Sequence, residues 1–299
     1  MSAPSVTFTF IRHGESTDNL RSVWAGWKDS PLSNHGMNQA KEMGKSLSHV
    51  RFAAIHTSPL KRALWTAEAL RQVQSEPKPP LTTSLLLREQ HWGIAEGKPW
   101  IMEFLPGVTL EQHYERGVYP VLHGRGQKFP EGESLDDLAA RANVAIEEII
   151  MPHIRAAARS GKKGIHVAIV SHGLCISEII LALLKRDGSG TVHERHYRGL
   201  LNTAWSRVTV DVDGAQDSEA LEFSDEDTPI LHMRVTEINR HEHLDNVEKR
   251  QKGGIGSSEY DPKQQDIRAF FGGGGTKAQP PEEGRSVSNA RDEADEDLQ

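Results

Sequence analysis

The chain has 299 residues, 36% of them hydrophobic and 26% charged, and a net charge of −7. That length can bury a sizeable core in one large domain or two small ones. No run approaches the roughly eighteen apolar residues of a membrane span, and the opening Met-Ser-Ala-Pro-Ser-Val-Thr has neither the basic start nor the apolar stretch of a secretion signal. The expectation is therefore a soluble protein of the cytoplasm or nucleus with no membrane partner, and the single cysteine, Cys175, excludes an internal disulfide and a thiolate zinc site.

Taken in order, Val6 to Ile11 reads as a strand running into the glycine-containing loop Arg12-His13-Gly14-Glu15-Ser16. Apolar spacing predicts a helix over Gly36 to Leu47, a short strand over Ala53 to His56, and a second helix opened by Ser58 as N-cap with Pro59 in its first turn, which puts Arg62 near that helix's start. Between about 98 and 130 the pattern turns irregular, with Pro106-Gly107, Gly117, Pro120 and Gly124, and reads as an insertion over the sheet edge. Ser134 is expected to cap a long helix that breaks at Pro152. His166 to Val170 has the composition of a fully buried strand; it ends at Ser171-His172-Gly173, and a helix follows from Leu174 to Leu184. Ala204 to Val212 and Ile230 to Ile238 read as two late strands.

Residues 241–299 differ from the rest. They hold 13 acidic residues against 8 basic ones, leaving 29 against 27 in residues 1–240, and only 13 of these 59 residues are hydrophobic. Such a stretch buries too little apolar surface to offset its ordering entropy, so residues 241–299 are expected to form a disordered acidic tail.

Strand followed by helix, repeated, predicts an α/β fold: a three-layer α/β/α sandwich with a mostly parallel sheet and helices on both faces. Ligands of such sheets bind outside the carboxyl ends of the strands, and His13-Gly14 and His172-Gly173 both fall there.

Four blocks occur in order: Arg12-His13-Gly14-Glu15-Ser16, Ser58-Pro59-Leu60-Lys61-Arg62-Ala63, Glu89 followed by Gly93 and Glu96-Gly97, and Ser171-His172-Gly173. In these blocks the chain resembles the histidine phosphatase superfamily, the phosphoglycerate mutase-like proteins, over about residues 5–240. The resemblance implies that His13 takes the phosphoryl group as nucleophile, that Arg12, Arg62 and His172 complete the phosphate pocket, that Glu89 is the proton donor, and that Asn19 adds a phosphate contact. Glu96 and Glu15 compete with Glu89 for the acid's role. Two arginines suit the charge that spreads over a phosphoryl group's equatorial oxygens, and their positive field keeps a neighbouring histidine neutral and nucleophilic. Backbone N–H groups of Gly14 or Gly173 can add donors.

The expected activity is hydrolysis of a small phosphomonoester without metal or cofactor; no His-Glu-x-x-His or paired-cysteine spacing appears. Mutases of the superfamily carry Glu-Arg followed by a Tyr-Gly pattern around the acid, whereas this chain has Arg88-Glu89-Gln90-His91-Trp92-Gly93. The segment Phe129-Pro130-Glu131-Gly132-Glu133-Ser134 resembles the phosphatase branch. A mutase and a phosphatase-fold interaction protein remain the alternatives. For the latter, Gln264, Ile267, Phe270 and Phe271 resemble the sliding-clamp interaction motif, giving a clamp as the expected protein partner. The near-neutral first 240 residues give no sign of direct nucleic-acid binding.

Overall fold

The computed structural model describes residues 6–190, 197–214, 229–247 and 255–261, with positions 221, 224 and 227. The octamer 264–271 lies outside the described residues.

A six-stranded sheet organises the fold. Its strands are β1 (Val6–Arg12), β2 (Phe52–Thr57), β3 (Leu81–Thr83), β6 (Ile165–Ser171), β7 (Trp205–Val212) and β8 (Leu231–Arg240), in the order β3-β2-β6-β1-β7-β8; the short strands β4 (Trp100–Ile101) and β5 (Tyr119–Pro120) pair separately. From β3 to β1 all neighbours are parallel, whereas β7 and β8 join antiparallel. The sheet is thus mostly parallel as expected, with an antiparallel pair at one edge.

The side-chain period of two along the central strands feeds two cores. Phe8 and Phe10 of β1 and Val167 and Ile169 of β6 pack with α4 (Leu135–Ala145), α5 (Met151–Ser160) and α6 (Gly173–Leu184). On the other face, Ile11, Ala168 and Val170 meet α1 (Asn34–Ser46) and α2 (Lys61–Gln72) through Met43, Leu47, Ala63, Ala67 and Leu70. These are the three expected layers. A satellite core of Ala95, Tyr119 and Phe129, joined by Trp24, Trp92 and Tyr114, holds the irregular region, which also contains α3 (Leu110–Glu115).

Three sequence expectations change. Helix α2 starts at Lys61 with Leu60 as its cap residue and no side-chain cap, so Ser58 is not the N-cap. The helix from Leu135 does not break at Pro152. One π turn over Ile146–Ile150 leads into α5, with Pro152 in that segment's first turn, where its missing N–H is tolerated. The chain also stays on the domain beyond residue 240. His243 is buried with Nε2 2.9 Å from Thr203 Oγ1, Ser258 O accepts from Asn34 N at 2.9 Å, Tyr260 N donates to Leu32 O at 2.9 Å, and the Tyr260 ring packs on Trp65. A few backbone bonds at the start of α1 hold what the average composition of the tail conceals.

Candidate active site

The carboxyl ends of β1, β2 and β6 converge. β1 delivers Arg12 and His13, the turn after β2 delivers Ser58 and, one helical turn on, Arg62, and β6 delivers Ser171 and His172. The rings of His13 and His172 lie 5.0 Å apart, centroid to centroid, at 61°. Both are buried.

His13 Nδ1 is 2.6 Å from Gly14 O. A carbonyl only accepts, so the proton of the neutral ring sits on Nδ1 and Nε2 keeps its lone pair. Burial, then the charges of Arg62 and Arg12, hold the imidazole well below the ordinary histidine range. His172 is lowered in the same way, by burial first and then by Arg62; its Nε2 is 2.9 Å from Ser58 Oγ.

The arginines are anchored by protein carbonyls. Arg62, 1% exposed, donates from Nη2 to Gly26 O at 2.6 Å and from Nη1 to Lys28 O at 3.0 Å. Arg12 Nη1 donates to Leu200 O at 2.5 Å. Arg12 Nε, Arg62 Nε and His172 Nδ1 are buried with no hydrogen-bond partner. Buried polar atoms are ordinarily satisfied, and two cationic donors left so beside a neutral histidine form a receptor for an anion.

Of the three carboxylate candidates, Glu89 acts on both arginines of this cluster, by charge on Arg12 and on Arg62. Its oxygens accept from Gln90 N at 3.0 Å and, at the start of α6, from Cys175 N at 3.0 Å and Leu174 N at 3.2 Å. A Cβ placed on Gly173 would lie 3.8 Å from Arg12 Nε and 3.9 Å from Glu89 Oε2, so acid and arginine border the same space beside Gly173. Glu96 instead accepts from Trp27 N at 2.6 Å and Lys28 N at 2.7 Å, bracing the loop whose carbonyls hold Arg62. Glu15 accepts from Ser33 Oγ at 2.8 Å, at the cap of α1.

Other expected contributors sit differently. Asn19 is exposed, and its Oδ1 accepts from Ser16 N at 3.0 Å, so its side-chain oxygen closes the Ser16 turn. Gly14 N donates to Thr66 Oγ1 at 3.0 Å and is already committed. What demands glycine there is α1: a Cβ would come within 2.4 Å of Gly36 O. At Gly173 a Cβ would meet Arg12 and Glu89 only at ordinary contact distance, so packing does not demand glycine there.

Several supporting residues gave no local signal. Asn202 Nδ2 donates to His13 O at 3.1 Å, and Thr203 N donates to Arg12 O at 3.0 Å from a backbone with φ of 61°, strained for a β-branched residue. Ser58, which caps no helix, contacts His172.

The profile of the histidine phosphatase superfamily (branch 1) matches residues 8–220. The chain belongs to that superfamily. Membership makes it an enzyme of the phosphatase and mutase type. A probable phosphatase of Schizosaccharomyces pombe is 28% identical over 265 residues, covering 88% of this chain and 79% of the relative. A 2,3-bisphosphoglycerate-dependent phosphoglycerate mutase of Lactobacillus johnsonii is 32% identical over 187 residues, covering 57% and 79%. A mycobacterial glucosyl-3-phosphoglycerate phosphatase shares the fold with a TM-score of 0.55 at 22% identity, over 80% of this chain and 99% of that one.

Proposed function

We propose that the protein hydrolyses small phosphomonoesters through a phosphohistidine on His13. The observation that carries this reading is the set of buried, unpartnered nitrogens of Arg12, Arg62 and His172 beside a histidine whose Nε2 lone pair is free. His13 Nε2 attacks phosphorus, the bond from phosphorus to the ester oxygen breaks, and the leaving alkoxide takes the proton of Glu89. Glu89, now a carboxylate held by three backbone N–H groups, takes a proton from water; the oxygen attacks phosphorus, the bond to nitrogen breaks, and phosphate leaves with His13 restored. Arg12 and Arg62 supply the cationic donors for the equatorial oxygens, which makes turnover independent of added metal.

The surroundings of Glu89 favour a phosphatase over a mutase. Gln90 is buried with Nε2 donating to Glu133 O at 2.7 Å, and His91 stacks on Trp27, so the two residues after the acid are committed within the protein and leave no grip for a substrate carboxylate. Phosphate release from a panel of phosphometabolites, with EDTA present, tests the proposal. Turnover that persists in EDTA and disappears in His13→Ala supports it, whereas phosphoglycerate interconversion without phosphate release would establish the mutase instead.

A further inference from the structure

Glu89 lies in an irregular stretch between two short 3-10 turns, Leu85–Leu87 and Gly93–Ala95, with no strand or helix ladder of its own. Its backbone carbonyls need other donors, and the aim of its carboxylate depends on them. Trp27 Nε1 donates to Glu89 O at 2.7 Å, and Arg141 of α4 serves three of these carbonyls. Its Nη1 donates to Leu86 O at 2.9 Å and Arg88 O at 2.7 Å, and its Nη2 donates to Glu89 O at 2.9 Å. The other two N–H groups go to Glu133: Nε to Oε1 at 2.9 Å and Nη2 to Oε2 at 2.7 Å. All five donors of the guanidinium are thereby used. Glu133 in turn accepts from His91 N at 3.0 Å. The pair is largely out of solvent, with side-chain exposures of 11% for Arg141 and 18% for Glu133.

We infer that Arg141, locked by Glu133, is the positioning residue that aims the carboxyl of Glu89 at the leaving oxygen; the inference rests on the phosphatase reading above. A planar fork reaches three carbonyls and a carboxylate at once, which the single ammonium of lysine cannot do. Arg141 donates no hydrogen bond to Arg12, His13, Arg62 or His172, although its charge is the last of those that lower His172, so its loss is expected to misplace the acid far more than it weakens phosphate binding.

Proton donation matters where the leaving oxygen is basic and little where it is not. The test therefore compares the full-length protein with R141A, R141K, E133Q and E89Q on glycerol 2-phosphate, an alkyl ester, and 4-nitrophenyl phosphate, whose leaving group departs unaided. The ratio of the two kcat/KM values reports the steps up to departure of the alcohol, leaves out the water step that Glu89 also serves for both esters, and is independent of how much of each variant is folded. Removal of a general acid typically costs about 10²-fold or more, so E89Q is expected to lower kcat/KM on the alkyl ester by that order while changing it on the nitrophenyl ester only a few-fold. R141A and R141K are expected to shift the ratio in the same direction by roughly 10-fold or more, E133Q by less, with inhibition by inorganic phosphate near wild type. Equal losses on both esters, an unchanged ratio, or full rescue by R141K would each overturn the positioning role. Turnover surviving in His13→Ala would overturn the phosphohistidine reading beneath it, and the positioning role with it.

Discussion

His13 is buried against two guanidinium groups, a setting that disfavours a second positive charge and keeps its ring neutral where a free histidine would be half protonated. Because the lowered group must be neutral to attack, the phosphorylation step keeps its rate as pH falls through 6.5 and declines only well below it. Single-turnover kinetics on 4-nitrophenyl phosphate check this, and an acid limb centred at 6.5 would contradict it. Arg62→Lys loses the fork that grips Gly26 O and Lys28 O while offering the phosphate a donor, a loss of about 2 kcal/mol or tens of fold in kcat/KM. Cys175 is fully buried, with its thiol pushed up to about 11 by that burial, so peroxide is expected to leave activity unchanged in wild type and in Cys175→Ser alike. The sequence singles out Arg12, His13, Arg62, Glu89 and His172 because they stand in the four ordered blocks that carry the family resemblance. Ser58, Asn202 and Arg141 are not singled out for the site, since their partners, His172, His13 and the 86–89 carbonyls, are remote in sequence and local spacing carries no trace of them.

At the scale of elements, helix ends and loop contacts set the site's frame. Ser134 opens α4 with a full capping box, accepting from Asp137 N at 3.0 Å while its own N donates to Asp137 Oδ2 at 3.0 Å. The Ser134 backbone N–H first, then the hydrogen bond from Lys128 Nζ at 2.9 Å and the Ser134 side chain, pull the Asp137 carboxyl down to about 2. Ser134→Ala is expected to cost about 1 kcal/mol in urea unfolding. Gly93 is the stricter position: its φ is +53° and a Cβ would come within 2.0 Å of Pro130 O, so Gly93→Ala forces apart the 90–95 and 130–132 segments that flank Glu89. That variant should lose both stability and activity, and near-wild-type unfolding would refute the contact. The Ser134 cap was readable from sequence because an N-cap is a local signal. The π turn before Pro152 was not, because proline reads as a helix breaker until the turn preceding it is known.

For the molecule as a whole, the alternation of strand and helix was enough to specify the layered sheet, since buried parallel strands and amphipathic helices leave few other arrangements. The end of the domain was harder to see, because Tyr260 and His243 are held by individual contacts inside a stretch of polar composition. Six histidines, at positions 13, 56, 153, 166, 172 and 243, have lowered values, and for 56, 166 and 243 the value is about 4, with burial the largest cause in each. Unfolded, each binds a proton near 6.5; folded, each stays neutral. The unfolded state therefore binds more protons as pH drops below 6.5, and stability present above that pH is lost progressively toward 4. Urea midpoints that do not change between pH 7 and 4.5 would contradict this. In the proposed route one nitrogen of this chain carries the phosphoryl group between its two transfers. Mass spectrometry of the full-length protein and its peptides, quenched in mild alkali within a single turnover, is expected to show one acid-labile phosphoryl adduct on His13, absent from His13→Ala; an adduct on any other residue, or none during active turnover, would contradict the phosphohistidine route.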